Sequence, residues 1–317
     1  MIVVTGGVGF IGSNLVKALN KKNQNDILVV DDLTDGTKVI NLADCDIADY
    51  QDKNLFIQNI KNNSLPKNIT AIVHLGACSS TIEWDGHFIM NNNYEYSKTL
   101  FHYAVDNNIQ FIYASSASVY GAGDKFAEKR EHEKPINMYA YSKFLFDVYV
   151  RNFWQKYGKN SQVVGLRYFN VYGPREQHKG DMSSVAYKLN SQIPKTGVAK
   201  LFKGTDGYKN GEQLRDFVYV GDTVNVKLWL LENPAISGIF NVGTGVAQSF
   251  KDVANAVIDY HKTGKIEYID FPKHLIGYYQ SYTQADILSL KKAGYDKNFK
   301  NVQQGVLEYL TLLNKKM

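Results

Sequence analysis

Cysteine is nearly absent from this chain of 317 residues: Cys45 and Cys78 are the only two. That scarcity argues against a disulfide framework and leads us to expect a reducing, cytoplasmic setting. No apolar run approaches the roughly 18 residues of a membrane span, so no membrane partner is expected. The opening MIVVTGGVGF carries no basic n-region and runs directly into a motif, so no signal peptide is expected. Neither sign of charge dominates. The 36 Lys+Arg against 31 Asp+Glu leave +5, spread along the chain, which is no nucleic-acid footprint. Internal repeats and low-complexity segments are also missing.

What remains is an ordinary globular balance, 44% hydrophobic and 21% charged, with enough chain for one large domain or two unequal ones. The 22 tyrosines and 16 phenylalanines suit stacking pockets for sugars or bases, although such residues are more often core. The first half alternates short β-branched runs with helical patterns. Strands are expected at 1–6, 26–32, 41–47, 70–77, 111–117 and 162–170, and helices at 10–22, 52–63, within 83–107 and at 140–158. This alternation predicts an α/β fold, a doubly wound parallel (Rossmann) sheet with ligands at the strands' carboxyl ends. After residue 170 segments shorten and turns multiply. A smaller, discontinuous C-terminal substrate domain is expected from 169–215, 246–280 and 296–317. Residues 1–168 form the dinucleotide domain, with returns near 216–245 and 281–295.

TGGVGFIG puts Gly6, Gly9 and Gly12 between an N-terminal strand and a helix. Gly6 permits the tight turn, Gly9 the approach of a pyrophosphate, and Gly12 close helix–strand packing. The free N–H groups at Phe10 and Ile11 face the phosphates. Asp31 and Asp32 end the second strand, where ribose hydroxyls are read, and favour NAD. Lys38 and Lys53 downstream could offset that charge, so the residues leave NAD and NADP open. Small residues in LGACSS (75–80) suit backbone passing a cofactor, with Cys78 read as a space-filler. No metal site is expected.

SSASVYG (115–121) brings Ser116 to a strand end, and YAYSK (139–143) places Tyr139 and Lys143 on one helical face. The lysine is expected to lower the phenol's pKa and let Tyr139 act as a general acid or base. Ser116 would bond the reacting oxygen. NVYGPREQHKGDM (170–182) starts at the same carboxyl edge and carries Lys179, while Arg175 and His178 read as structural. With RDFVYVGD (215–222), where Arg215 suits a diphosphate, these motifs occur in the order that the extended short-chain dehydrogenase/reductase family shows. The resemblance covers nearly the whole chain.

ACSSTIEWDG, MNNNYEYSK, YFNVYGPREQHKGDMSSVA and YTQADI further resemble the ADP-L-glycero-D-manno-heptose 6-epimerase class of that family. The resemblance implies epimerisation at C6″ of an ADP-heptose for the inner core of lipopolysaccharide, by transient oxidation to the 6″-ketone. It implies tightly held NADP near Phe10, Ile11, Asp31, Asp32, Lys38, Lys53, Leu75, Gly76, Ala77, Cys78, Ser79, Asn92, Lys143, Val171 and Lys179. Tyr139 and Lys179 are the implied proton-handling pair. Asn170, Asp181, Lys188, Phe202, Lys203, Gly204, Thr205, Arg215 and Tyr279 are the implied substrate contacts. Leu75, Asp181 and Lys188 depart from the class's pattern, and the excursion at 204–213 is longer. A homo-oligomer is implied, with a pentamer as one form. The alternative is a UDP-hexose 4-epimerase, which shares Ser116, Tyr139 and Lys143 without needing Lys179. A 4,6-dehydratase would need an acidic pair in the stretch that here reads SSASVYG. A non-catalytic NADP-sensing protein would have little reason to keep the three residues together.

Overall fold

The computed structural model describes residues 1–272 and 280–315. Strands β1 (Ile2–Thr5), β2 (Ile27–Asp31), β3 (Asp49–Asp52), β4 (Ala71–His74), β5 (Gln110–Ser116) and β6 (Val163–Tyr168) alternate with helices. These are α1 (Phe10–Asn20), α2 (Lys53–Lys61), α3 (Gly86–Ile89), α4 (Tyr96–Asp106) and α5 (Met138–Tyr157). Beyond β7 (Asn170–Tyr172) come α6 (Val185–Thr196), β8 (Val198–Phe202), β9 (Leu214–Arg215), β10 (Phe217–Tyr219), α7 (Val220–Glu232) and β11 (Gly238–Val242). The chain continues through β12 (Gln248–Ser249), α8 (Phe250–His261), β13 (Lys265–Ile269), α9 (Leu288–Lys292) and α10 (Val302–Leu313).

Seven strands form one parallel sheet in the order β11-β6-β5-β4-β1-β2-β3. The order reverses beside β1, which pairs with β2 on one side and β4 on the other. In such sheets the crevice outside that reversal is where ligands bind. Burial of the central strand β2 explains the apolar run Ile27–Val30. Much of the aromatic content is core: Phe101 packs edge-on against Phe111, Phe146 and Phe153. Helix α5 starts where the Asn137 side chain accepts from the Ala140 N–H, and stops at Gly158, φ +79°.

Contacts divide the chain into two compact units. The first holds 1–119, 135–167 and 224–240; the second holds 120–134, 168–223 and 241–317. In the second, β7 pairs with β10, β9 with β12, and β8 with β13.

Two expectations need correction. Residues 41–47 are not a strand; the third strand is Asp49–Asp52. Asn41 is instead buried in a short helical turn and donates to the Val8 carbonyl, bracing the glycine turn. The true edge strand, DYQD, has no apolar alternation to reveal it. Residues 217–219 do not rejoin the main sheet but pair with β7, while β11 does rejoin it. The helical stretch expected within 83–107 runs from Gly86 to Asp106 and includes a π-helical turn at Met90–Glu95.

Candidate active site

In the first unit a cavity of about 360 Å³ opens at the carboxyl ends of β1, β2 and β4. Gly6, Asp31, Asp32, Lys38, Lys53, Gly76, Ala77, Cys78 and Asn92 line it, all expected from sequence. Thr5, Val30, Thr34, Asp35, Phe88 and Tyr96 also line it and were not singled out. Gly6 has φ +65°, and a Cβ there would lie 2.6 Å from the Gly76 nitrogen, so the turns after β1 and β4 touch. A Cβ on Gly12 would overlap the Gly6 carbonyl oxygen. Gly9 is the N-cap of α1 and makes no side-chain cap, so the helix begins at Phe10 with a bare glycine backbone before it. Leu75 is half-buried, its N–H bonded to the Thr5 carbonyl, and Ser79 is exposed.

The paired acids play different parts. Asp31 is buried and accepts from the Val8 N–H at 2.8 Å, so it braces the glycine turn, with Lys38 at 3.0 Å. Asp32 is more open. Lys53 at 2.8 Å and Thr34 hold its carboxyl well below the usual range. A turn built without side chains, a helix start without a cap, and flanking carboxylates and lysines make a cradle that fits a dinucleotide.

The chemical groups of this unit meet on β5 and α5. A hydrogen bond links the hydroxyls of Tyr139 and Ser116, and Ser116 accepts from Ser118 N–H and Oγ. Burial pushes the Tyr139 phenol up, with Ser116 opposing. This corrects the expectation that Lys143 lowers it: burial sets the direction, and the group opposing it is Ser116, not the lysine. Lys143 is buried and donates to the Ala114 carbonyl at 2.8 Å; burial pulls its ammonium down to about 8, with Asp147 opposing. Asn93 was missed. Its amide clamps the Cys78 backbone from both sides, accepting from its N–H and donating to its carbonyl, each at 2.9 Å. The π-helical turn that carries Asn93 is a frequent mark of functional sites, but it has no sequence signature.

In the second unit a cavity of about 290 Å³ is lined by Asn170, Val171 and Lys179, with Tyr172, Phe217 and Phe250 among the walls. Burial lowers the Lys179 amine, and Glu176 opposes. Glu176, also missed, is fully buried and accepts from Gly173 N–H at 3.2 Å, Ser184 N–H at 2.6 Å and Ser184 Oγ at 2.7 Å. It thereby clamps both ends of the loop bearing Lys179.

The other expected substrate residues among those described lie outside that cavity wall. Asp181 is exposed and its carbonyl accepts from Lys188 Nζ at 2.7 Å. Phe202 packs on Phe271, and Lys203 pairs with Asp270 at 2.7 Å. The Gly204 N–H donates to the Asn210 side chain, and the Thr205 carbonyl accepts the Tyr208 N–H. Arg215 is buried with its guanidinium 5.9 Å from the Phe250 ring centre. Tyr279 lies outside the described residues.

A family model for the NAD dependent epimerase/dehydratase family matches residues 2–243. The chain belongs to that family. Among solved structures it is similar to the ADP-L-glycero-D-manno-heptose-6-epimerase of Helicobacter pylori, at 28% identity and TM-score 0.83, over 99% of this chain and 96% of that one. It is as similar to the UDP-N-acetylglucosamine 4-epimerase of Methanobrevibacter ruminantium (26%, TM-score 0.84, 100% and 98% covered). The UDP-glucose 4-epimerase of Thermus thermophilus, solved with NAD, matches at 25% and TM-score 0.79, over 100% and 99%. Among the described residues no helix is long and apolar enough to cross a membrane.

Proposed function

We propose that this epimerase-family chain inverts C6″ of ADP-D-glycero-D-manno-heptose, with NADP as its dinucleotide, for the inner core of lipopolysaccharide. The observation that carries this reading is Lys179, an amine lowered by burial on the wall of a cavity shared with Asn170. A carbinol hydrogen is not acidic, so inversion by direct proton abstraction has no easy route. A bound nicotinamide would supply a hydride acceptor and donor, so that carbon could be oxidised to a ketone and reduced again on the opposite face. The substrate oxygen then meets different surroundings in its two orientations, which calls for two acid–base groups. Tyr139, bonded to Ser116, serves one epimer, and Lys179 serves the other. Lys143 keeps a positive charge on the helical face of Tyr139. Asn170 and Arg215 orient the nucleotide sugar, joined by the chain from Phe202 to Thr205. Gly6, Gly9, Gly12 and Asn92 hold the dinucleotide, with Lys38 and Lys53 supplying charge for a 2′-phosphate. Residues 1–168 act as the dinucleotide domain, and a homo-oligomer in the cytoplasm completes the reading.

A UDP-hexose 4-epimerase is the second reading, favoured by the equal likeness to the two 4-epimerases. The deciding experiment supplies ADP-D-glycero-D-manno-heptose and UDP-glucose separately and follows C6″ and C4″ configuration by NMR. The bound dinucleotide is identified after denaturation. Inversion at C6″ supports the first reading; turnover of UDP-glucose with the heptose untouched replaces it by the second.

A further inference from the structure

One buried ion pair has no part in the chemistry above. Asp147 stands one turn beyond Lys143 on α5 and is fully buried, as is Arg167 on β6. The Tyr113 hydroxyl donates to its Oδ1 at 2.9 Å, and the Ser115 hydroxyl to its Oδ2 at 2.9 Å. Arg167 adds Nε at 2.9 Å and Nη2 at 2.8 Å, both to Oδ2. Tyr113 and Ser115 alternate on one face of β5, and the residue between them, Ala114, offers its carbonyl to Lys143 Nζ. Three consecutive residues thus hold both the lysine and the carboxylate. Gly165 on β6 makes room: a Cβ there would lie 2.5 Å from the Tyr113 hydroxyl oxygen.

Stability is a poor reason for such a pair. Two charges taken out of water cost several kcal/mol each, and well-packed apolar residues often do as well. Lys143, however, has a need. It carries its charge at a buried position, where desolvation works against the ammonium. Residues four apart on a helix are neighbours, within about 6 Å at their Cβ atoms. The other titratable groups in contact with this network do not supply a negative charge, and Arg151, one turn beyond Asp147 on α5, brings a second positive one. His74 on β4 is neutral, pulled down to about 3 by burial and then by Lys143, and the phenols of Tyr113 and Tyr139 are both pushed up by burial.

We propose that Asp147 is a positioning residue: its carboxylate, locked by Arg167, Tyr113 and Ser115, is the counter-charge that keeps Lys143 charged for Tyr139. The proposal rests on the acid–base reading of Tyr139 and Lys143 given above.

The test replaces the pair together, Asp147→Asn with Arg167→Gln, so that neither ion is left alone in the core. Lys143 protonation is read by pH-dependent reductive methylation and peptide mass spectrometry, which needs no turnover, alongside the pH profile of epimerisation. The wild-type transition is expected near the value of about 8. The double variant is expected to show it about one unit or more lower, with the alkaline limb of turnover moving equally. A folded double variant with the wild-type transition overturns the proposal. Should the double variant not fold, Tyr113→Phe decides, because it removes one neutral donor and keeps every charge. With one donor fewer, the carboxylate charge is less neutralised, so its transition is expected above the wild-type position, and an unchanged transition or a fall overturns the proposal. Tyr139→Phe with full turnover would instead remove the acid–base reading, while the methylation result for Asp147 would stand separately.

Discussion

Lys53 reaches the Asp32 carboxylate at 2.8 Å on the wall of the cavity at the carboxyl ends of β1, β2 and β4, so neither charge there stands alone. Lys38 is likewise matched by Asp31. A 2′-phosphate entering the cavity would share each lysine with an acid. Asp32→Asn should free Lys53 and shift the preference towards NADP. The pair is partly exposed, so the expected change in the ratio of NADP to NAD affinity is about two- to fivefold. Fluorescence titration with both dinucleotides measures it, and an unchanged ratio would separate Asp32 from cofactor choice.

The first turn of α1 has no room at Gly12. Gly12→Ala forces the helix away from the Gly6 carbonyl, an overpacking expected to cost about 1–3 kcal/mol. Thermal denaturation should show a lower Tm, and the purified protein should carry less dinucleotide. Normal stability with full dinucleotide content would contradict the close packing.

Tyr139→Phe and Lys179→Ala should each lower epimerisation by at least about a hundredfold, the usual worth of a positioned acid–base group. Each should leave the circular dichroism spectrum unchanged. Full activity in the Lys179 variant would remove it from the reaction and favour the 4-epimerase reading.

Glu176 closes the ends of the Lys179 loop through three accepted hydrogen bonds. Glu176→Ala leaves buried donors unmet and is expected to cost about 2–3 kcal/mol. Hydrogen exchange should quicken between residues 170 and 184 before it does elsewhere. Unchanged protection there would show that the clamp is dispensable.

Lys143 also leaves a mark on stability. Below about 8 it is protonated in both folded and unfolded chains. Between about 8 and 10.5 the unfolded chain keeps a proton that the folded one has released. Its contribution to stability therefore rises with pH across that window, by about 1.4 kcal/mol per unit. Lys143→Met should lose this rise, seen as a flatter plot of Tm against pH than the wild type gives.

The alternation of apolar strands with amphipathic helices, and the glycines between β1 and α1, announced the parallel sheet and the side-chain-free turn after β1. Backbone needs decide both: buried strands must be apolar on both faces, and a turn that touches another turn cannot carry a Cβ. The four-residue spacing of Tyr139 and Lys143 was legible because a helix makes such neighbours by geometry. The third strand was not, since an edge strand of sequence DYQD shows no period. Nor was the parting of Asp31 from Asp32. Adjacent acids look alike in sequence, and only the packing of Val8 against one of them makes it a brace. Asn93, Glu176 and the Asp147–Arg167 pair were invisible for the same reason: each acts through partners brought close by folding. The pKa of Tyr139 went against expectation because desolvation depends on everything packed around the phenol, which no spacing of two residues can express.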